Sequence, residues 1–169
     1  LFLPSTVYTY RGDTVIGDHY RRAFTANNLP NLYSLFTYFK KDSTLVNEFF
    51  NLGRSIIKNP IEFSNNFLSA RKPKIVGTDE AFALSAKILG IEDQITYSLE
   101  SLKVVHLKSM IQNWPWPADT VFDHVGFYFD KTANVKIGNF QQHDILHYVD
   151  KNLITDEYVS ILENIAWKK

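Results

Sequence analysis

The sequence predicts a mixed α/β domain, because strand patterns and amphipathic helix patterns alternate through its first half and a strand-rich segment follows. The clearest helix pattern covers about residues 43–58, where apolar residues recur at helical spacing. The clearest strand patterns are the β-branched and aromatic residues 6–10 and the apolar residues 145–149. At 169 residues the chain is long enough to bury a core, so we expect a single domain over residues 1–169.

In the first half of the chain, each element follows from a local signal. Residues 6–10 predict a strand, and Arg11-Gly12-Asp13 predicts the turn that ends it rather than an adhesion motif. Asp42 or Ser43 caps the main helix. Its apolar stripe consists of Leu45, Phe49, Leu52 and Ile56. The other predicted elements are a helix over 18–26, a strand over 32–39, a helix over 61–68, a short strand over 75–77, and a helix that Thr78 caps and Gly90 ends.

The second half of the chain is richer in strands. Its predicted elements are a strand over 103–107, a loop over 112–117, a hairpin of 125–129 with 135–137, a last strand over 145–149, and a closing amphipathic helix that Thr155 caps. This order, with alternating strands and helices early and a strand-rich segment later, favours a mixed α/β domain.

Charge and composition exclude several classes of function. Eighteen Lys and Arg residues balance eighteen Asp and Glu residues, so no net field attracts nucleic acid or an anionic membrane. No cysteine is present, which excludes a disulfide framework and thiolate metal sites and suits a reducing compartment. No apolar run approaches the roughly 20 residues that span a bilayer. We therefore expect a soluble, cytoplasmic protein that binds neither nucleic acid nor membrane.

Two acidic residues stand where a predicted strand meets a predicted helix. Asp79 and Glu80 follow Thr78, and ligands of α/β enzymes gather at such junctions. Acidic residues in a first helical turn also stabilise the helix dipole by about 0.3–1 kcal/mol, which is the commoner reason for them. Both interpretations stay open on the sequence alone.

Two of the five histidines, His106 and His147, stand alike near the ends of apolar strands. An imidazole beside a lysine or a carboxylate suits metal ligation or a contact with a diphosphate, although a lone strand histidine is usually structural. No His-Glu-x-x-His or comparable spacing is present, so the sequence does not predict a self-contained zinc site.

The segment Trp114-Pro115-Trp116-Pro117 places two indoles on a backbone that proline stiffens. Rings held in this way stack on a sugar or fill a core, and the sequence favours neither. Glycine-rich phosphate loops and a Gly-x-Ser-x-Gly elbow are both absent from the sequence, so no common nucleotide cradle is predicted.

Several short motifs resemble the latter part of GT-A-type nucleotide-sugar glycosyltransferases, both glycogenin-like retaining enzymes and uncharacterised phage and marine microbial members. The motifs are Thr9-Tyr10-Arg11-Gly12, Asn28-Leu29-Pro30-Asn31-Leu32-Tyr33, Tyr38-Phe39-Lys40-Lys41, Thr78-Asp79-Glu80-Ala81-Phe82-Ala83 and His147-Tyr148-Val149-Asp150-Lys151. The resemblance implies a partial GT-A-like mixed sheet flanked by helices, and hexosyl transfer from a nucleotide sugar to a carbohydrate or protein acceptor.

The resemblance also implies roles for particular residues. In that family an Asp-x-Asp binds a divalent metal, usually manganese, that holds the donor diphosphate, and a later strand-end histidine completes the metal shell. His147 resembles that histidine; His106 rivals it, because His106, Lys108 and Trp114 are similar to the family's His…Lys-Pro-Trp pattern. The other implied roles are catalytic or acceptor-side acids for Asp79 and Glu80, diphosphate contacts for Lys108 and Lys151, and substrate contacts for Trp114 and Trp116.

The chain departs from the family pattern because it contains no Asp-x-Asp. We therefore expect the carboxy-terminal part of a larger glycosyltransferase whose donor-binding part precedes Leu1, incomplete or inactive alone. One alternative is a non-catalytic binding or assembly domain, in which a partner or a second copy covers an open sheet edge. Another is a metal-dependent hydrolase that uses His106, His124, His143 and Asp144.

Overall fold

The computed structural model describes residues 1–15, 18–70, 76–99, 102–117, 120–130, 134–148 and 156–166. Helices stand beside a parallel strand pair and an antiparallel three-stranded sheet, so the predicted mixed α/β class is confirmed. The chain divides into two compact units: unit 1 comprises Leu1–Thr6 and Ile16–Glu100, and unit 2 comprises Val7–Val15 and Ser101–Lys169. The expectation of one domain over residues 1–169 stays a prediction.

Unit 1 is helical where it is described. Its helices are α1 (Asp18–Ala26), α2 (Thr44–Lys58), α3 (Pro60–Phe67) and α4 (Thr78–Leu89), and a 3₁₀ turn follows at Glu92–Gln94. The predicted helices are thus confirmed within a residue or two, but the N-cap of α4 is Gly77 and not the predicted Thr78, which is the first residue of the helix. Ser43 is the cap of α2, since its hydroxyl accepts a hydrogen bond from the Val46 N–H, and Gly90 ends α4 in the left-handed region at φ 62°.

The core of unit 1 lies between α2 and α4. Phe49 and Ile56 of α2 are fully buried, and the Phe49 ring lies 5.1 Å from the ring of Phe82 on α4. The two helices approach closely at Gly53, where a Cβ atom would stand 3.3 Å from the Phe82 ring. The predicted apolar stripe of α2 is therefore the core face, as its spacing indicates.

Two predicted strands of unit 1 are wrong. Residues 32–39 form no strand: Tyr38 makes only an isolated bridge with Phe2, and the Ser34 N–H donates to the Asp79 carboxylate instead of to a strand partner. Residues 76 and 77 are not a strand either, because the Gly77 N–H donates to the Glu80 carboxylate at the start of α4. Residue 75 lies outside the described residues. In both places a side chain takes the backbone group that a sheet would need.

Unit 2 contains every named strand of the described chain. Its elements are β1 (Val104–Leu107), α5 (Ser109–Gln112), α6 (Val121–Val125), β2 (Phe127–Phe129), β3 (Val135–Ile137), β4 (Phe140–Gln142), β5 (Ile145–Tyr148) and α7 (Asp156–Ala166). The predicted strands at β1 and β5, the hairpin of β2 with β3 and the closing helix are confirmed. The short helices α5 and α6 and the strand β4 were not predicted, and Thr155 lies outside the described residues.

Strand β1 is the centre of unit 2. It pairs in parallel with β5, and on its other side Tyr8 donates to the Val104 carbonyl and accepts from the His106 N–H, both at 3.0 Å. The predicted strand over residues 6–10 is thus reduced to bridges at Tyr8, because the turn at Arg11-Gly12-Asp13 follows at once. All four residues of β1 are buried, which is typical of a strand in the interior of a sheet.

The antiparallel sheet has the order β2-β3-β4. Phe127 pairs with Ile137 at the buried end of the hairpin, and the Asp130 carboxylate accepts from the N–H and the amide of Asn134 at its turn. Gly138, at φ 57°, lets the chain reverse between β3 and β4 within two residues. None of the helices in the described residues is long and apolar enough to cross a membrane.

Tyr97 of unit 1 predicts a loss of stability at alkaline pH. Its hydroxyl donates to the Glu92 carbonyl at 3.0 Å; burial, followed by the charges of Glu92 and Asp93, raises its pKa above the ordinary value. The protonated phenol therefore stabilises the fold fully below about pH 10, the unfolded value, and this stabilisation is lost as pH rises toward the folded value.

Urea unfolding at pH 8 and at pH 10.5 tests this expectation. The wild type should lose more stability between the two conditions than Tyr97→Phe, which has no phenol to ionise. Equal losses in the two proteins would contradict it.

Candidate functional site

His106 and His147, the two alternative candidates for the metal-ligating histidine, lie side by side. His106 of β1 is the register partner of His147 of β5, and their Nδ1 atoms are 2.9 Å apart. His106 is buried and His147 half-buried. Parallel pairing without a shift explains this, since each histidine is the third residue of its strand. We call these two residues the His pair.

The protonation of the His pair is constrained by its geometry. A hydrogen bond between two Nδ1 atoms needs a proton on one atom and a lone pair on the other. At least one of the two rings is therefore neutral when the bond is formed. A metal ion bound to both Nδ1 atoms would need both lone pairs, so the hydrogen bond and the metal are alternatives at the same two atoms.

The spacing of the His pair also fits a metal ion with right-angle coordination. With metal–nitrogen distances of about 2.1 Å, two ligands at 90° stand about 3.0 Å apart, whereas a tetrahedral ion separates them by about 3.4 Å. The observed 2.9 Å is closer to the right-angle value. No group of three or more His, Cys, Asp or Glu in the described part of the chain could hold a metal, so the other ligands would come from elsewhere.

Of the two predicted diphosphate contacts, only one can be located. Lys108 follows β1 directly, and its N–H donates to the His106 carbonyl at 3.0 Å. A cation two residues from His106 stands at the end of the same strand, where the sequence predicts it. Lys151 lies outside the described residues.

A cleft of about 610 Å³ opens in unit 2 around the tryptophan loop. Its walls come from the turn after Tyr8, the loop after α5, the end of α6 and the turn between β3 and β4. The lining residues are Thr9, Tyr10, Arg11, Asp13, Gln112, Asn113, Trp114, Pro115, Trp116, His124, Val125, Gly138, Asn139 and Phe140. Both predicted substrate residues, Trp114 and Trp116, therefore line one cavity of ligand size, which we call the Trp cleft.

Tyr10 is the fixed point of the Trp cleft. The Gln112 side chain accepts from the Tyr10 N–H at 3.1 Å, and the Gln142 side chain donates to the Tyr10 carbonyl at 2.9 Å. The buried Tyr10 ring packs 5.7 Å from the Trp114 ring and edge-on to Phe140. Two glutamines from distant parts of the sequence thus hold one backbone unit and its ring in place.

The two tryptophans of the cleft have different surroundings. Trp114 packs against Tyr10 in the second core cluster, as the core-filling interpretation predicts. The Trp116 ring instead stacks on the His124 imidazole, with centroids 4.7 Å apart and planes at 17°. One face of Trp116 is covered by this imidazole, so a ligand that stacks on Trp116 would have to use the opposite face.

The predicted acids Asp79 and Glu80 belong to unit 1 and have structural partners. Asp79 pairs with the buried Arg21 at 3.0 Å and accepts two hydrogen bonds from Ser34, at 2.8 and 2.6 Å. Glu80 accepts from the Gly77 N–H at 2.6 Å, which caps α4. Arg21 also lies 3.6 Å from the centre of the Tyr33 ring. Both carboxylates thus stabilise local structure, and their catalytic role stays a prediction.

Some residues of the site were not found from the sequence. The sequence predicts a turn at Arg11 and Asp13 but no role for them in binding, and Gln112 carries no signal because a single glutamine has no pattern. In the hydrolase alternative, His143 and Asp144 are exposed and His124 stacks on Trp116. The described residues bring no three of those four together as metal ligands.

Known proteins give no match to this chain, whether they are compared as family models, curated proteins or solved structures.

The Asp79 network predicts a contrast between two neighbouring carboxylates. Asp79→Asn should lower the free energy of unfolding by about 2–4 kcal/mol, because it leaves the Arg21 guanidinium, only 7% exposed, without its counter-ion. Glu80→Gln is the matched control, since an amide oxygen still accepts from the Gly77 N–H; the expected loss is about 0.5 kcal/mol. Urea unfolding measures both, and equal losses would contradict the structural role of Asp79.

Gln112 and Gln94 provide a second pair of variants whose expected losses of stability differ. The Gln112 amide donates to the His106 carbonyl at 2.8 Å while its oxygen accepts from Tyr10. Gln112→Glu keeps the acceptor but turns a carboxylate toward the His106 carbonyl, so we expect a loss of about 1–3 kcal/mol. Gln94→Glu, at an exposed position of unit 1, should lose almost nothing. Urea unfolding followed by tryptophan fluorescence tests this expectation. Similar losses of unfolding free energy in the two variants would show that Gln112 does not link the segment of Tyr10 to β1.

Proposed function

We propose that this chain supplies the metal-completing and acceptor-binding part of a nucleotide-sugar glycosyltransferase. The observation that carries the proposal is the His pair: the two histidines that resemble the family's metal ligand stand on adjacent parallel strands, with Nδ1 atoms 2.9 Å apart. That spacing suits two ligands of one octahedral divalent ion. The oxygen atoms of a donor diphosphate would then supply further ligands.

The charges near the His pair support the same proposal. A departing nucleoside diphosphate accumulates negative charge, and a divalent ion bound there would stabilise it. Lys108, two residues after His106, adds a cation at the end of β1. His106 is buried, so a ligand that reaches it leaves water, which strengthens each electrostatic contact. The resemblance adds Lys151 to the proposal as a diphosphate contact, and Asp79 and Glu80 as catalytic or acceptor-side acids.

A non-catalytic binding domain is the second candidate, and the Trp cleft favours it. The cleft has the size of a ligand site, and no residue of the His pair lines it, so binding there needs no metal. This candidate predicts ligand binding without transfer, and a second copy of the chain is the partner it would use to cover an open sheet edge. For both candidates we propose a cytoplasmic location, which the absence of cysteine supports.

Titration calorimetry of manganese with and without uridine diphosphate tests the proposed transferase. We expect manganese to bind measurably in the presence of the diphosphate, and His106→Ala and His147→Ala each to weaken that binding at least about tenfold, because each removes a ligand. His143→Ala is the matched control: its exposed side chain lies two residues before β5 begins, outside the His pair, so this variant should leave binding unchanged.

Two results would contradict the proposal. Manganese affinity that is the same in the wild type, His106→Ala and His147→Ala would remove the His pair as a metal site. The absence of heat with wild type, manganese and diphosphate together would leave only the binding domain.

A further inference from the structure

We propose that the Trp cleft binds a neutral saccharide, stacked on the face of Trp116 opposite His124 and hydrogen-bonded by Arg11 and Asp13. As the acceptor site of a transferase, the cleft rests on the function proposed above. As a sugar-binding site it stands independently, because neither member of the His pair lines it.

The first argument is the combination of ring faces and planar polar groups in one cavity. Sugars present apolar C–H faces and a rim of hydroxyls, so they are recognised by an aromatic face together with carboxylate, guanidinium or amide groups. Trp116 supplies a face whose other side is covered by the His124 imidazole at 4.7 Å. The side chains of Arg11, Asp13 and Asn139 line the same cleft and are exposed.

The second argument is that Arg11 and Asp13 keep bonding capacity. The Arg11 Nε donates to the Tyr10 hydroxyl at 3.0 Å, and its terminal nitrogens have no hydrogen-bond partner among the residues that the structure describes. Asp13 Oδ2 accepts from the Thr9 hydroxyl at 3.3 Å, and Oδ1 has no such partner there either. A guanidinium and a carboxylate two residues apart can donate to one hydroxyl and accept from its neighbour.

The third argument is that the cleft is built before a ligand arrives. Tyr10 is held by the side chains of Gln112 and Gln142, and the Arg11 Nε bond to its hydroxyl orients the guanidinium. Asn113 adopts the left-handed conformation at φ 54° directly before Trp114-Pro115-Trp116-Pro117, in which each proline restricts the preceding tryptophan. A stiff loop loses little entropy when a ligand binds.

Charge decides which saccharide is expected. Among the described residues that line the cleft, one basic side chain, Arg11, and one acidic side chain, Asp13, carry opposite charges that cancel. A phosphorylated or acidic sugar would gain from Arg11 what it loses to Asp13. A neutral sugar avoids that repulsion and uses both groups.

Saturation-transfer NMR and titration calorimetry on the full chain, without manganese or diphosphate, test the proposal. The probes are glucose, galactose, N-acetylglucosamine and maltose, with glucuronate and uridine as competitors. We expect at least one neutral sugar to bind. Trp116→Ala and Arg11→Ala should each weaken it about tenfold, the first through lost stacking and the second through lost charged hydrogen bonds. Tyr128→Ala, which removes a ring that is 60% exposed in the same unit but outside the cleft, should bind like the wild type.

Each other outcome would overturn the proposal. No binding by any of the four neutral sugars, or equal affinity in wild type, Trp116→Ala and Arg11→Ala, would exclude a saccharide site here. Tighter binding of glucuronate or uridine would assign the cleft to an acidic sugar or a nucleobase instead. Arg11→Ala alters an exposed side chain, so it keeps the test decisive if Trp116→Ala does not fold. The sugar-binding test uses no manganese, so a failure of manganese binding would contradict the transferase proposal and leave the saccharide proposal standing.

Discussion

The candidate site of unit 2 depends on the parallel pairing of β1. This strand has Tyr8 on one side and β5 on the other, so residues from three distant parts of the sequence share one small hydrogen-bonded layer. The pairing places His106 beside His147 without any sequence motif that joins them. A shift by one residue would turn one imidazole to the opposite face and separate the pair. Register is therefore the constraint from which the chemistry of the His pair follows.

The Trp cleft depends on a second, smaller constraint, the fixing of Tyr10. Its backbone unit bonds Gln112 on one side and Gln142 on the other, and Gln112 also bonds the carbonyl of His106. These side chains satisfy the backbone N–H and carbonyl of Tyr10, which no strand among the described residues pairs. The turn after Tyr8, the start of the tryptophan loop and β4 are consequently held as one wall. A sugar site on this wall would be shaped by backbone bonds as much as by the rings it presents.

In unit 1 the corresponding feature is the Asp79 carboxylate. It neutralises the buried Arg21 guanidinium, which also lies on the Tyr33 ring, and it takes the Ser34 N–H that a strand would have used. One residue thus explains why the segment after Leu32 is not a strand and why α1 is tied to the start of α4. A carboxylate with three such bonds is costly to move or to replace. This is why its structural role is clear even though its chemical role is still a prediction.

Local signals in the sequence determined the elements that local interactions stabilise. The stripe of α2, its Ser43 cap, the Gly90 end of α4, the turn at Asn134 and the apolar runs of β1 and β5 were all predicted, because caps, turns and periodicity act between neighbours in the chain. The predicted strand over residues 32–39 had the right composition, but in the structure the Ser34 N–H donates to the distant Asp79 carboxylate instead of to a strand partner. Tertiary structure alone decided that the rings of His106 and His147 contact each other. It also decided that Arg11, Gln112 and Trp116 line one cleft. Strand register joins two histidines that are 41 residues apart in the chain, and a side-chain hydrogen bond joins Tyr10 to Gln112, 102 residues away. No local pattern in the sequence encodes contacts over such separations.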